Sequence, residues 1–177
     1  MSNSARPLIY AHRGANREAA ENTCTAFDRA LAYPIDGMET DVQLTRDGVA
    51  VLWHDRFLAK LGLPAQRVDD YDFAELQGMD FAAHFEGAAS EGPMTLRDFL
   101  GRYRARCGLL IEIKNRAWAE RNRSLEPMAK AAQQALGAKT LKVVADAGYS
   151  NGEQAAACEA SGIEPFPHDY PGVEPIA

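Results

Sequence analysis

The feature that most restricts the fold of this chain is a series of short strand-like segments that carry or end in charged residues. The segments are Leu8–Ala11, Met38–Leu44, Val49–Trp53 and Leu109–Lys114. Apolar runs this short predict strands, and we expect the first to be buried. Segments in which apolar residues recur at helical spacing alternate with them, at Thr23–Ala32, Thr95–Tyr103 and Glu126–Leu136. Strands that alternate with helices predict an α/β fold with a parallel sheet or barrel.

The segment from residue 56 to residue 93 departs from this alternation. It is rich in loop-forming residues, and its one predicted helix is short and lies near Glu75. We interpret it as an excursion from the main fold. Beyond it, Lys142–Ala145 is a candidate fifth strand, and the proline-rich segment Pro165–Ala177 is expected to be a disordered tail. We expect one domain over residues 1–140 and a divergent or foreign segment over residues 141–177.

Charge and cysteine content exclude several classes of protein. The net charge is -6, whereas a protein that mainly binds nucleic acid or anionic membranes needs a basic face. The three cysteines are widely spaced, which argues against a disulfide framework or a zinc site and favours reduced thiols. The N-terminal apolar run is too short for a signal peptide, and no run approaches the ~20 apolar residues of a membrane span. The sequence thus predicts a cytoplasmic protein.

Titratable residues cluster at the carboxyl ends or along the faces of the predicted strands. They are His12 and Arg13 on the first, Glu39 and Asp41 on the second, His54 and Asp55 on the third, and Glu112 and Lys114 on the fourth. Residues two apart on a strand point to the same face. In a parallel α/β fold the carboxyl ends of the strands meet at one rim, where ligands bind. We therefore expect these side chains to form one site.

The residue types at this rim are suited to phosphoester hydrolysis. The carboxylates of Glu39, Asp41 and Glu112 offer oxygen ligands to a hard divalent cation such as Mg²⁺ or Ca²⁺. Two histidines are candidate general acid and base, and two basic residues are candidate partners of an anionic group. These four residues are His12, His54, Arg13 and Lys114.

Each of these interpretations has a simpler structural alternative. An acidic pair on an edge strand is often only a solvated face, and His12 alone is more often the polar end of a strand. Glu112 is harder to explain in this way because it interrupts an apolar run, where burying a charge is costly unless it is paired or binds a metal. The remaining candidates are assigned to structural roles: Asp47 and Asp55 to turns, His84 and His168 to surface or loops.

Six separated motifs together resemble the glycerophosphodiester phosphodiesterases, in order and in spacing, over about residues 7–136. They are Ala11–Gly14, Glu21–Thr23 with Ala26–Phe27, Glu39–Gly48, Val51–Asp55, Thr95–Leu96 and Ile111–Lys114. A departure from the family pattern is Ala20, where proline usually precedes the Glu-Asn-Thr motif.

This resemblance implies a TIM-barrel fold and metal-dependent hydrolysis of glycerophosphodiesters to an alcohol and glycerol 3-phosphate. It also implies that His12 and His54 are the acid and base, that Arg13 and Lys114 bind the phosphate, and that three carboxylates bind the metal. These are Glu39, Asp41 and Glu112. Residues 56–93 would be the small insertion that the family carries.

The chain is short for such a barrel. A TIM barrel has about 250 residues and seldom fewer than about 200, whereas this chain has 177. We therefore expect a partial barrel, truncated after four or five strands, with little catalytic activity and with an open sheet edge through which the chain self-associates. The alternative is a catalytically silent relic or metal-binding fragment of an interrupted gene.

The C-terminal residues 142–166 resemble the region around the second catalytic aspartate of insertion-sequence DDE transposases, here Asp146. The alternative is a divergent fifth strand and helix of the barrel. An activity on nucleic acid is the weakest hypothesis, because such a site needs two further acidic groups on a scaffold of its own, and the last forty or so residues are too few to form that scaffold. The negative net charge also argues against it.

Overall fold

The structure is a computed structural model that describes residues 6–114, 125–137, 141–144 and 152–166. Contacts divide the chain into two units, Met1–Glu112 and Ile113–Ala177. The boundary expected near residue 140, between the domain and a divergent or foreign C-terminal segment, stays a prediction. Asp146 and His168 lie outside the described residues.

The first unit contains an open four-stranded sheet around one long strand. Its strands are β1 (Tyr10–His12), β2 (Gly37–Leu44), β3 (Ala50–Leu52) and β4 (Gly108–Ile113), which ends one residue inside the second unit. β2 pairs in parallel with β1, and it also pairs with β3 and β4. Residues 37–42 of β2 are buried, because three strands surround it. The predicted strands are therefore all present, and β2 is the element that positions the others.

The predicted convergence of strand ends requires β3 to run parallel to its neighbour, but it does not. It pairs antiparallel with β2, with Leu52 opposite Val42 and Ala50 opposite Leu44. The cause is the tight turn at Asp47-Gly48, where Gly48 adopts a positive φ of 83° and a two-strand hairpin replaces a helical crossover. The end of β3 thus returns toward the middle of β2.

The helices of the first unit begin where the sequence places N-caps. They are α1 (Cys24–Ala30), α2 (Phe73–Leu76) and α3 (Leu96–Tyr103). Thr23 Oγ1 accepts a hydrogen bond from the Ala26 amide at 3.2 Å, and Thr95 Oγ1 accepts one from the Asp98 amide at 3.0 Å. Each cap satisfies an amide that the first helical turn leaves without a partner.

α1 and α3 pack through a cluster of aromatic rings. Phe27 is fully buried, and its ring centroid lies 4.6 Å from that of Phe99 and 5.6 Å from that of Tyr103. Tilted rings at these distances combine apolar burial with favourable ring electrostatics.

Replacing Phe27 by alanine is expected to lower the free energy of unfolding by about 3–5 kcal/mol, because it leaves a cavity between two rigid rings. Urea unfolding followed by circular dichroism measures this. Phe57→Ala is the matched control, since Phe57 is exposed and should lose less than about 1 kcal/mol. Similar losses in both variants would contradict this account of the core.

The excursion, residues 56–93, is not a loose insertion. Its buried side chains pack on two residues at the end of the hairpin, Val51 and Trp53. The cluster consists of Val51, Trp53, Leu58, Val68, Leu76 and Phe81. Trp53 and Phe81 meet edge to face, with ring centroids 5.3 Å apart. The excursion is therefore held against β3 by its own core.

The second unit contains a strand–helix–strand arrangement after one longer helix. Its elements are α4 (Leu125–Leu136), β5 (Leu141–Val144), α5 (Gly152–Ala160) and β6 (Ile163–Phe166). β5 and β6 are parallel, with Leu141 opposite Ile163. The prediction that Pro165–Ala177 is a disordered tail is wrong for its first two residues, because Pro165 and Phe166 belong to β6 and pair with β5.

The segment around β1 is exposed, contrary to the prediction of a buried strand. Leu8, Ile9 and Tyr10 are 67%, 51% and 40% exposed. Among the described residues β1 pairs only with β2, so within that part of the chain its other edge has no strand partner. Within the described part of the chain, no helix is both long enough and apolar enough to cross a membrane.

Candidate active site

The register of β1 on β2 places a histidine beside an acidic residue. His12 lies opposite Glu39, and His12 Nε2 is 3.8 Å from Glu39 Oε2. The Arg13 amide donates to the Glu39 carbonyl at 2.9 Å and lies 3.2 Å from Glu39 Oε2. The backbone hydrogen bonding to Glu39 thus continues one residue past the end of β1, at Arg13.

Three carboxylates converge at this point of the sheet. Glu39 and Asp41 lie two apart on β2, and their oxygens and one of Glu112 all lie within 4.8 Å of one another. Asp41 is fully buried and Glu39 is nearly so, but Glu112 is exposed. The expectation that Glu112 is buried in an apolar run is wrong, because residues of β4 alternate between exposed and half-buried and Glu112 lies on the exposed face.

The cluster is electrostatically suited to a cation. Burial and the nearby charges of Asp41 and Glu112 raise the pKa of Glu39 to about 7, although Arg13 acts in the opposite direction. A carboxylate that is partly protonated because like charges crowd it becomes fully ionised when a cation neutralises them. The three oxygens therefore fit a hard divalent ion, for which carboxylate oxygen is the preferred ligand.

Cation affinity is expected to fall with pH below about 7, by up to tenfold per pH unit, because the proton and the metal compete for Glu39. Isothermal titration calorimetry at pH 6, 7 and 8 measures this. Buffers of different ionisation enthalpy should also reveal proton release on binding at pH 6 and little at pH 8. An affinity that is the same at pH 6 and pH 8 would contradict the assignment of Glu39.

Two further side chains hold Asp41 in place. Arg13 Nε lies 2.9 Å from Asp41 Oδ2, and Asn22 Nδ2 donates to the same oxygen at 3.2 Å. Thr40 Oγ1 in turn donates to Asn22 Oδ1 at 2.9 Å. Arg13 and Asn22 both adopt a left-handed backbone, each with a φ of 59°. The sequence patterns place Asn22 only within the motif Glu21–Thr23 and give it no role in the site, and it is Thr23 that caps α1.

His54 follows the hairpin and is paired with its neighbour. His54 Nδ1 lies 2.7 Å from Asp55 Oδ1. Burial opposes ionisation of Asp55, but hydrogen bonds from His54 and Lys60 hold its pKa below the usual value. An ionised carboxylate only accepts hydrogen bonds, so Nδ1 carries the proton and Nε2 of the neutral ring is free to accept one. The expectation that Asp55 is only a turn residue is therefore wrong.

A lysine from the excursion joins the two sides of the site. Lys60 Nζ lies 2.9 Å from Asp55 Oδ2 and 2.7 Å from Glu21 Oε1. The other oxygen of Glu21 lies 3.3 Å from an Arg13 guanidinium nitrogen. Burial opposes ionisation of Glu21, but Lys60 and Arg13 outweigh it and hold the pKa of Glu21 below its usual value. The sequence patterns place Glu21 within a motif of the family resemblance, but they assign a role in the site to neither Glu21 nor Lys60.

The remaining candidates are placed as follows. Asp47 accepts a hydrogen bond from the Phe73 amide at 3.0 Å and so keeps its predicted turn role. His84 is half-buried and lies in a turn, in agreement with its assignment to surface or loop, and burial and the charge of Lys60 lower its pKa. Lys114 directly follows β4 and belongs to the second unit, and its role as a phosphate ligand stays a prediction.

Comparison with protein families gives one match over most of the chain. The sequence pattern of the glycerophosphoryl diester phosphodiesterase family matches residues 12–150. The match includes Asp146, on which the transposase resemblance rests, and for residues 142–150 it favours the alternative of a divergent barrel segment. It also includes every residue predicted for the site.

Each match to a curated relative extends over only part of this chain and part of the relative. The chain is 34% identical over 116 residues to a glycerophosphodiester phosphodiesterase of Caldanaerobacter subterraneus, covering 60% of this chain and 48% of that protein. It is 42% identical over 77 residues to one of Bacillus altitudinis, covering 44% of this chain and 31% of that protein. The chain spans about half or less of the length of these relatives.

Solved structures share the fold. The glycerophosphoryl diester phosphodiesterase domain of an uncharacterized protein from Mycobacterium tuberculosis has a TM-score of 0.67 at 25% identity, over 91% of this chain and 59% of that one. A phosphodiesterase of Oleispira antarctica, in complex with the product sn-glycerol-3-phosphate, has a TM-score of 0.63 at 19% identity, over 93% of this chain and 85% of that one. The expected α/β fold of the TIM-barrel type is thereby confirmed.

Proposed function

Because the chain belongs to the glycerophosphoryl diester phosphodiesterase family, we propose that it hydrolyses glycerophosphodiesters to an alcohol and glycerol 3-phosphate with the help of a divalent cation. The observation that carries this proposal is the convergence of three carboxylates from β2 and β4 within 4.8 Å, directly beside His12. A relative of the same fold was crystallised with glycerol 3-phosphate as its product, which supports the substrate class.

Glu39, Asp41 and Glu112 would hold the cation, either Mg²⁺ or Ca²⁺. When bound, the ion neutralises charge on the phosphoryl oxygens. Arg13 lies between Asp41 and Glu21, so its guanidinium is fixed at the edge of the cluster, where it complements an anionic group. Lys114 is proposed as a second contact to the phosphate.

The two histidines divide the proton transfers. Burial and the charge of Arg13 lower the pKa of His12, which increases its neutral fraction and favours it as the general base. His54 keeps a proton on Nδ1 through its bond to Asp55, so its Nε2 delivers or receives a proton at the substrate side. With the ring held by Asp55 in this way, His54 takes the role that His12 leaves open, that of the general acid.

The test is an assay of the purified chain with glycerophosphocholine, in the presence of Mg²⁺ or Ca²⁺ and again after chelation with EDTA. We expect release of glycerol 3-phosphate that stops on chelation and returns when the cation is restored. A folded chain that binds the cation but releases no product would contradict the proposal and favour the alternative, a catalytically silent metal-binding relic.

We further propose that the chain associates with itself along the exposed apolar segment at β1. Sedimentation velocity between about 5 and 200 μM should show a larger species that grows with concentration. Ile9→Lys is expected to weaken this association, because it places a charge on the apolar edge. Tyr33→Lys is the matched control, since Tyr33 is exposed to the same extent, 51%, but lies outside the exposed apolar segment Leu8–Tyr10. Equal association of both variants would contradict the proposed surface.

A further inference from the structure

Lys60 lies in a rigid part of the excursion. It is the middle residue of a 3₁₀ turn, Ala59–Leu61, which ends at Gly62 in a left-handed conformation. Leu58, the residue before this turn, is fully buried in the cluster that includes Trp53. The side chain of Lys60 is 31% exposed, with Nζ 6.0 Å from the centroid of the Trp53 ring. The backbone that carries Lys60 is therefore anchored beside the hairpin.

The ammonium group of Lys60 lies between two carboxylates of different elements. It is 2.7 Å from Glu21, which precedes α1, and 2.9 Å from Asp55, which follows β3. Both distances are those of charge-assisted hydrogen bonds. Burial acts to lower the pKa of Lys60, but the two carboxylates outweigh it and raise the pKa above its usual value. Lys60 is thus a fixed positive charge.

The charge is needed because the acidic groups around it are crowded. One oxygen each of Glu21 and Asp55 and a ring nitrogen of His54 lie within 4.8 Å of one another. Such a group resembles a metal site, but the ammonium of Lys60 already stands where a cation would neutralise it. Without Lys60, two partly buried carboxylates would repel each other, and one of them would rotate away or take up a proton.

We propose that Lys60 is a positioning residue that holds Asp55 against the ring of His54. Through Glu21, Lys60 also holds the guanidinium of Arg13. Arg13 contacts Asp41, so one side chain of the excursion orients both the acid–base histidine and the arginine beside the proposed cation ligands. This inference rests on the proposed hydrolysis for its effect on rate, but its effect on the orientation of His54 does not depend on turnover.

The experiment compares Lys60→Met, which removes the ammonium, with Lys60→Arg, which keeps a charged donor that reaches two carboxylates. Lys130→Met is the matched control, because Lys130 is exposed and pairs with Glu126, one turn before it on α4. The first readout is the ¹H–¹⁵N signal of the His54 Nδ1 proton at about pH 8.5, where an ordinary imidazole is neutral, assigned by its loss in His54→Gln. The second is kcat and KM for glycerophosphocholine with Mg²⁺.

We expect Lys60→Met to lose the Nδ1 proton signal to exchange with water, and Lys60→Arg and Lys130→Met to retain it. We expect kcat to fall about 10–100-fold in Lys60→Met with KM within about threefold, and Lys60→Arg to recover most of the loss. If Lys60→Met does not fold, Lys60→Gln replaces it, since it keeps a hydrogen-bond donor without the charge.

An unchanged His54 signal in the folded neutral variant would overturn the inference, whatever the activity. A fall in rate that Lys60→Arg does not recover would also overturn it. If the unsubstituted chain releases no product, the proposed function fails while the His54 signal still decides the role of Lys60. A loss of signal in Lys60→Met alone would then support positioning in a chain without turnover.

Discussion

Substitution of Glu39 by glutamine is expected to abolish tight cation binding and to lower turnover by ~10³-fold or more. Several kcal/mol of transition-state stabilisation depend on the cation, and each 1.36 kcal/mol corresponds to about a factor of ten in rate. Glutamine keeps the size of the side chain and one oxygen but removes the charge that attracts the ion. Calorimetric titration with Mg²⁺ and Ca²⁺, and the hydrolysis assay, measure the two effects.

In the absence of cation, the same substitution is expected to stabilise the fold. The pKa of Glu39 is raised to about 7 from 4.5, so ionised Glu39 destabilises the fold progressively as the pH rises from about 4.5 through 7. Glu39→Gln should therefore raise the melting temperature without cation at pH 8 and change it little at pH 4.5. Glu86→Gln, at an exposed position, is the matched control for binding, turnover and stability. Cation affinity within threefold of the original in Glu39→Gln would rule out Glu39 as a ligand.

Substitution of His54 by alanine is expected to lower kcat by about 10²–10⁴-fold, the usual loss for a general acid or base. Cation affinity should stay within a few-fold, because His54 is not among the three carboxylates that would hold the ion. His12→Ala should lower kcat to a similar degree. His168→Ala serves as the control, since His168 lies outside every motif. Rates within a few-fold of the original for either site variant would contradict the proton-transfer role.

The strands and helices that carry the site are predictable from local patterns. Residues two apart on β2 share a face because of strand geometry alone, and this places Glu39 with Asp41. Thr23 and Thr95 begin the two segments in which apolar residues recur at helical spacing, and in the structure each is the N-cap of a helix. Such features depend on a few neighbouring residues, so the local sequence is sufficient to predict them.

The partners of the site residues depend on contacts between distant segments. Lys60 stands in irregular chain without periodicity, and it reaches Glu21 only because Leu58 and neighbouring apolar residues pack on Trp53. His54 was placed at the site on the assumption of a parallel strand. The structure instead brings it near β2 by an antiparallel hairpin, which returns the Trp53 amide to the Asp41 carbonyl at 3.1 Å. Local sequence patterns predict neither the contact of Lys60 with Glu21 nor the position of His54 near β2.

Asn22 has a consequence for how this chain tolerates sequence change. Its left-handed backbone is accessible to glycine, asparagine and aspartate but strained for most other residues, while its amide bonds both Asp41 and Thr40. A library randomised at position 22 and sorted only for folded protein should retain glycine together with asparagine, because an aspartate there would place a second carboxylate against the buried Asp41. The same library sorted for hydrolysis should retain asparagine alone, so the difference between the two selections separates the backbone requirement from the side-chain requirement at a single codon.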